Sequence, residues 1–378
     1  MNQGKNRIGI VGGGQLGRMM TIPAQKLGFQ VTVIDPTPNS PAGQIADHQI
    51  VANFKDEKEI RKLGDVSDFI TFEIELANSK ILQELEKKGI NVNPSPRTLD
   101  IIRDKFKQKE FLNKNKLPVA DFIKVTTKID IKNAAKKFDY PILLKARFDA
   151  YDGRGNALIR TEQEIDSALD KLKGNKLYVE KFVPFIKELA VIVVRSKNGV
   201  ILTYPVVQTL HKNNILHYLL SPASIDKKTA DEAKDLAIKV MQNLKGAGVF
   251  GIEMFLTENE KILINEVAPR VHNSGHHTIE ANVTSQFEQH IRAITEMPLG
   301  STESVTPATV MINILGERNG KAQPKGIKEA EKIPGTTVHI YGKLETKIDR
   351  KMGHITVVGN SVEECLKRAK QARELVTI

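Results

Sequence analysis

A chain of 378 residues is longer than one hydrophobic core usually serves, so roughly two to four packed units are expected. Its 40% hydrophobic and 27% charged content is ordinary for a soluble globular enzyme, and no apolar run approaches the ~18 residues of a membrane span. The net charge of +11 admits anionic small molecules or nucleic acid, but aromatic residues make up 5%, Trp is absent and no nucleic-acid-binding motif occurs, so nucleic acid is not the expected partner. Lysines are scattered over helical segments such as Lys105 to Lys109 and Lys132 to Lys137, which predicts solvated helix faces. Gly12 to Gly14 interrupt the first apolar run too early for a signal peptide, and a single cysteine, Cys365, fits a reducing, cytoplasmic setting.

Residues 7 to 93 alternate strand and helix. Strands are expected at Ile8 to Val11, Val31 to Asp35, Gln49 to Ala52, Phe69 to Phe72 and Ile90 to Asn93, with helices through Ala24, near Lys58 and from Ser79, which predicts an open parallel sheet. Gly12-Gly13-Gly14-Gln15-Leu16-Gly17 follows the first strand and opens a helix, and Asp35 ends the next strand, the spacing of a dinucleotide-binding fingerprint. Physically such a turn offers backbone amides at a helix N-terminus to any anion, so a nicotinamide dehydrogenase is a rival. Nothing later in the chain supplies a hydride-transfer site.

Asn93-Pro94-Ser95-Pro96 breaks the sheet, and a helix is expected from Thr98 to Asn113. A lid-sized lobe follows, with a helix at Ala134 to Phe138, strands at Ile142 to Lys145 and Lys176 to Phe182, and a Gly- and Asp-containing loop up to Asn156. Strands at Leu189 to Val194 and Ile201 to Val207 and a helix from Thr229 to Leu244 lead to two apolar runs, Gly248 to Leu256 and Lys261 to Pro269, carrying Glu253 and Glu266. A hairpin with Asn259-Glu260 at its tip sets Phe255 opposite Ile264 and Glu253 opposite Glu266. Two carboxylates forced together in apolar strands call for a hard cation, and magnesium bound to nucleotide phosphates is the natural one. Strict alternation turns Asn265 away from the side Glu266 faces, so the strand must bend or end there. After a helix at Ser285 to Ile294, the tail is expected to hold strands at Thr309 to Ile314, Thr336 to Tyr341 and His354 to Val358, and a helix from Val362 to Leu375.

With the strand pair and Asn265 to Arg270 in view, the chain resembles the ATP-grasp ligases. Gly12 to Met19, Phe72-Glu73-Ile74-Glu75, Tyr151 to Gly155, Arg270 to Gly275, Ser285 to His290, and Tyr341-Gly342-Lys343 with Arg350 to His354 narrow the resemblance to the N5-carboxyaminoimidazole ribonucleotide synthetase family of purine biosynthesis. It implies an α/β ATP-grasp fold of three parts: a Rossmann-like N-terminal domain (1–103), an ATP-grasp domain (104–300, lid lobe about 115–185) and a small β-rich C-terminal domain (301–378). The implied reaction is ATP-dependent carboxylation of 5-aminoimidazole ribonucleotide by bicarbonate, through carboxyphosphate, in a cytoplasmic homodimer. A related ligase using formate on glycinamide ribonucleotide shares the fold and many of the motifs and is the alternative.

By the same resemblance Glu253, Glu266 and Asn265 hold Mg2+, or Mn2+ in its place. Lys105 and Lys145 clamp the ATP phosphates beneath the loop of Ala150, Tyr151, Asp152, Gly153, Arg154, Gly155 and Asn156. Lys145 ends an apolar strand, where a lysine without a partner would be badly placed. Adenine is expected along the exposed backbone from Tyr178 to Val183, with Glu180, Lys181, Phe182 and Val183 beside it, Glu188 on the ribose and His211 as a further nucleotide contact. Gln15, Leu16, Glu73, Asn273, Ser274, Lys343, Arg350 and Lys351 are expected to bind the ribonucleotide. Arg270, His272, Asp152 and Arg154 are expected to serve the chemistry. The family usually carries arginine where Lys105 stands, and a fuller glycine run where Arg147 to Ala150 stand.

Overall fold

Short apolar runs closed by turn residues become the five strands of an N-terminal sheet: β1 (Arg7–Val11), β2 (Gln30–Asp35), β3 (His48–Val51), β4 (Phe69–Phe72) and β5 (Asn91–Val92). All pairs are parallel, in the order β3-β2-β1-β4-β5. Connections leave β1 in opposite directions, so the crevice between the C-terminal ends of β1 and β4, where Gly12 to Gly17 and Glu73 lie, is the place where such a sheet binds ligands. The computed structural model describes residue 4 and residues 6–148 and 155–378. The expectations for Ala150, Tyr151, Asp152, Gly153 and Arg154 therefore lie outside the described residues.

The helix expected from Thr98 to Asn113 is two, Pro96–Arg103 and Lys105–Lys114. Asp104 between them is extended, and its carboxylate accepts from the amides of Phe106 and Lys107, starting the second helix afresh. Arg147 holds that carboxylate through Nε at 3.0 Å and Nη2 at 2.6 Å, and its carbonyl accepts from the amide of Lys105. The base of the lid is thereby tied to the helix that carries Lys105.

The lid is an antiparallel sheet of β6 (Phe122–Val125), β7 (Ile142–Ala146), β8 (Asn156–Ile159) and β9 (Leu177–Lys181), in the order β6-β9-β7-β8. One expectation needs correcting. Glu180 of β9 pairs with Phe122 on one side and Leu143 on the other, so this strand has no exposed backbone edge and unpaired main chain begins only at Phe182.

Behind the cleft runs a sheet of β10 (Lys187–Arg195), β11 (Ile201–Thr203), β12 (Val207–Lys212), β13 (Ile215–Ser221), β14 (Gly248–Leu256), β15 (Ile262–Ala268) and β16 (Ala308–Leu315). A two-stranded ribbon of β17 (Gly320–Lys321) and β19 (Glu345–Thr346) stands apart, while β18 (Thr336–Ile340) and β20 (Lys351–Gly359) complete the large sheet. The tail strands are continuous with the rest: the order is β15-β14-β10-β12-β13-β16-β20-β18, with β11 beside β10. The join is β13, a strand the apolar pattern did not predict. It follows Asn213-Asn214, both at positive φ (53° and 62°), a two-residue turn whose residue types are the signal for this hairpin. The last helix, Val362–Leu375, has the bounds expected of it. Among the described residues no helix is long and apolar enough to cross a membrane.

Candidate active site

The facing glutamates form by two irregularities that cancel. The turn is a three-residue loop: the amide of Thr257 donates to the carbonyl of Lys261, that of Glu260 to Thr257, and Glu260 takes φ 57°. Phe255 consequently pairs with Leu263, one residue off the expected Ile264. A bulge then inserts Asn265 into β15, and Glu253 pairs with Glu266 after all. The bulge also turns both Asn265 and Glu266 toward the cleft, which alternation alone forbids.

The helix Lys105–Lys114 fixes this irregular edge. Pro118 accepts from the amide of Ile264, and Lys109 Nζ donates to the Ile264 carbonyl at 3.2 Å. Gln108 accepts from the Val267 amide and donates to the Val267 carbonyl, both at 2.9 Å. Lys105 at the start of the same helix is ion-paired with Glu266. The solvated face expected for Lys105 to Lys109 holds at Lys107, which is exposed, but Lys105 and Lys109 turn inward over the edge, and Lys109 is 2% exposed.

The glycine turn is already filled by the chain itself. Both oxygens of Glu73 accept backbone amides at the start of the helix Gln15–Lys26, from Gly14 and, at 2.6 Å, from Gly17, while Asp35 takes the amide of Gly13 at 2.9 Å. A side chain on Gly12 or Gly14 would collide with Glu73, which is why this turn needs glycine. A dinucleotide pyrophosphate cannot use amides that two carboxylates occupy, so the fingerprint spacing does not carry its usual meaning here. Gln15, Leu16 and Glu73 nevertheless line the cleft.

That cleft, of about 1210 Å³, brings together residues on or beside the N-terminal sheet, the lid sheet and the large sheet. Arg270 follows β15, and its Nε lies 3.0 Å from Glu75 Oε1. Burial works to raise the Glu75 carboxyl, but Arg270 and then Lys105 outweigh it and hold it below the usual carboxylate range. Burial pushes the Glu253 carboxyl up, and Glu266 pushes it further. His272 Nε2 lies 3.6 Å from Glu253 Oε1. Burial, reinforced by Arg270, keeps the His272 imidazole well below its ordinary pKa, so it is neutral at physiological pH.

Toward the lid, Glu180 is 1% exposed and lies between Lys109 at 3.0 Å and Lys145 at 3.4 Å. Burial alone would raise its carboxyl, and the two lysines reverse the shift. Glu188 Oε2 is 2.6 Å from His211 Nδ1, and this contact overcomes the burial that would lower the imidazole. Phe185 and Phe255 stack at 4.6 Å on the same wall. At the opposite end Lys343 donates to the Lys351 carbonyl at 2.6 Å, Arg350 to that of Glu345 at 2.7 Å, and both face the cleft with Lys351.

Gly155, Asn156, Phe182 and Asn273 also line the cleft, but Lys181, Val183 and Ser274 do not. Lys181 is exposed, while Ser274 is fully buried behind His272, with Oγ 2.8 Å from Nδ1. Glu75, Lys109, Tyr178, Phe185 and Phe255 belong to the wall without having been singled out from the sequence. For Lys109 a signal existed: it stands one helical turn after Lys105 on the same face.

One buried histidine behind the cleft joins the N-terminal sheet to the large one. His290 Nδ1 accepts from the Val249 amide at 3.0 Å, so Nε2 carries the proton and donates to Thr71 Oγ1 at 2.7 Å. Burial pushes its pKa down to about 3 and that of His277 to about 4, from 6.5. The unfolded chain therefore binds more protons between pH 6.5 and those values, and stability, full above pH 6.5, is lost as pH falls through that window. Unfolding free energies from urea titration are expected to fall on acidification, by up to ~1.4 kcal/mol per pH unit for each histidine. His290→Gln should flatten the slope.

An ATP-grasp fold preceded by a parallel-sheet domain is what these elements define, and comparison with known families agrees. The family model described as the ATP-grasp domain matches residues 110–287, the ribonucleotide synthetase preATP-grasp domain matches 5–103, and the phosphoribosylaminoimidazole carboxylase C-terminal domain matches 309–368. N5-carboxyaminoimidazole ribonucleotide synthase of Bacillus subtilis is 40% identical over 362 residues, 95% of this chain and 93% of that one. The crystal structure of the synthetase from Thermotoga maritima is 47% identical, with a TM-score of 0.90 over 98% of this chain and 99% of that one. The Aspergillus clavatus synthase in complex with ADP and 5-aminoimidazole ribonucleotide is 36% identical, with a TM-score of 0.91 over 98% of each chain. The chain belongs to the N5-carboxyaminoimidazole ribonucleotide synthase family. It spans about two thirds of the length of curated relatives named phosphoribosylaminoimidazole carboxylase.

Proposed function

We propose that the protein carboxylates 5-aminoimidazole ribonucleotide to N5-carboxyaminoimidazole ribonucleotide, using ATP and bicarbonate and releasing ADP and phosphate, in purine biosynthesis. The observation that carries this is the meeting, in one cleft, of the Glu253–Glu266 pair with Arg270 and a neutral His272. The donors suit a hard divalent cation: two opposed carboxylates, one of them raised by burial and then by the other, and an asparagine placed beside them by a bulge. Glu253, Glu266 and Asn265 would hold Mg2+ or Mn2+, which when bound neutralises charge on the nucleotide phosphates. Such a site needs no closed protein cage, and among the described residues no group of three or more His, Cys, Asp or Glu forms one.

In this reaction an oxygen of bicarbonate attacks the γ-phosphorus, the bond to ADP breaks, and carboxyphosphate forms. The exocyclic amine then attacks the carboxyl carbon, or carbon dioxide released from it, and phosphate and a proton leave. Both steps gather negative charge, so preorganised cations serve better than a nucleophile. Arg270 holds the anion. Neutral His272 can orient bicarbonate or accept the proton. Lys105 and Lys145 bind phosphate oxygens, and Glu188 with His211 faces the ribose of ATP. Lys343, Arg350 and Lys351 bind the substrate phosphate, with Gln15, Leu16, Glu73 and Asn273 around its base. Asp152 and Arg154 help to hold it. Residues 1–103, 104–300 and 301–378 act as three domains, in a cytoplasmic homodimer.

ADP release measured with each acceptor and each one-carbon donor tests the assignment. Turnover is expected with bicarbonate and 5-aminoimidazole ribonucleotide together. Turnover with formate and glycinamide ribonucleotide instead would transfer the protein to the alternative ligase.

A further inference from the structure

The run Ser285 to His290 stands apart from the chemistry, yet one of its side chains grips the loop that performs it. Gln286 is fully buried; its Oε1 accepts from the amide of His272 at 2.9 Å and its Nε2 donates to the carbonyl of the same residue at 2.7 Å. Pairing with one N–H and one C=O fixes which way the amide points. The same Nε2 lies 3.3 Å from His276 Nδ1. Gln108 grips Val267 in the same manner, amide and carbonyl both at 2.9 Å, one residue after Glu266. Between the two clamps lies the strap from Val267 to His272, with Arg270 inside it and Glu266 immediately before it.

We propose that Gln108 and Gln286 are positioning residues, two bidentate clamps that hold the ends of this strap so that Glu266, Arg270 and His272 meet the reacting groups in one geometry. A strap leaving a bulged edge strand has lost its ladder partners on one side, and each glutamine restores the two bonds a neighbouring strand would make. A third glutamine supplies the control. Gln289, on the same helix and equally buried, grips Gly300 through its amide at 3.0 Å and its carbonyl at 2.6 Å, away from the cleft.

The experiment compares Gln108→Met, Gln286→Met and Gln289→Met, on the basis of the carboxylation proposed above. Gln108→Met and Gln286→Met are expected to lower kcat for ADP formation with bicarbonate and 5-aminoimidazole ribonucleotide by ~10²-fold, with KM for ATP within about threefold of the parent. Gln289→Met is expected to lose as much thermal stability and keep its kcat. Hydrogen exchange reads the clamps directly: protection at the His272 amide should vanish in Gln286→Met alone, and at Val267 in Gln108→Met alone. Activity losses that track stability equally in all three variants, or unchanged exchange at both amides, overturn the proposal. Should a methionine variant not fold, Gln286→Glu keeps the acceptor for the His272 amide but, as a carboxylate, removes the donor; it should keep that protection and still lose kcat. A parent enzyme that makes no ADP with these substrates defeats the assigned reaction, while the exchange measurement still decides the clamps.

Discussion

Glu266→Gln is expected to abolish bicarbonate-dependent ADP formation, lowering kcat by at least ~10²-fold, while leaving the fold intact. The substitution keeps the shape of the side chain and removes one charge from two interactions, the ion pair with Lys105 and the facing pair with Glu253. Stability should hardly suffer. The Glu266 side chain is 37% exposed, so its pairing with Lys105 is screened, and deleting one of two opposed carboxylates relieves repulsion that pushes Glu253 up. Loss of function without loss of fold separates a metal ligand from a structural acid. Mn2+ binding in the presence of ADP, followed by electron paramagnetic resonance, should weaken in step with turnover. Normal turnover would remove the metal assignment.

That pair shows both the reach of the sequence and its limit. Alternation of apolar residues located β14 and β15 and set the glutamates opposite each other, but through a tighter turn than the chain makes and without the bulge that corrects it. A one-residue loop difference flips every side chain of a strand, so the agreement at Glu253 and Glu266 depends on Asn265 being inserted. Asn265 beside Glu266 calls for a bend or an end of the strand there, and the structure meets it with an inserted residue, whose exact form no local pattern announces. The insertion is held by contacts of Pro118, Gln108 and Lys109, residues remote in the chain, with Ile264 and Val267 on either side of it. Family motifs carried the fold and the cleft wall much further than periodicity could.

The glycine run illustrates the opposite case, a strong local signal with a different use. Gly12 to Gly17 make the turn their spacing predicts, but Glu73, brought alongside by the pairing of β1 with β4, occupies the amides that a dinucleotide would need. Only the tertiary fold decides which anion sits there. Continuity of the large sheet was equally hidden, because it depends on β13 meeting β16, with Tyr218 opposite Ile312. Buried ion pairs such as Lys109 with Glu180 follow from the same long-range placement, and composition alone read those lysines as solvent-facing.

Arg270→Leu should cost both stability and turnover, and a double variant should separate the two. With Arg270 gone, Glu75 is left largely buried without its main partner, a loss of about 3 kcal/mol, the low end for broken buried pairs because both side chains keep some exposure. Turnover should fall ~10³-fold, since the cation proposed to face the developing anion is removed. Glu75→Gln keeps a polar oxygen beside the Arg270 guanidinium and should cost less on both counts. Adding Glu75→Gln to Arg270→Leu is expected to recover most of the stability and none of the turnover, because the neutral amide removes the stranded charge but supplies no cation. The pH dependence has a sign of its own. In the parent Glu75 titrates below its ordinary value of 4.5, so its contribution is present above that pH and is lost as pH falls through the lowered folded value. In Arg270→Leu burial acts with less opposition and raises the group, so between pH 4.5 and the raised value the folded state binds more protons and the variant's deficit shrinks on acidification from neutrality. Urea midpoints of the four proteins from pH 7 to pH 5, beside their kcat values, measure this. A deficit in Arg270→Leu that is unrelieved by Glu75→Gln would mean that the pair contributes packing rather than charge.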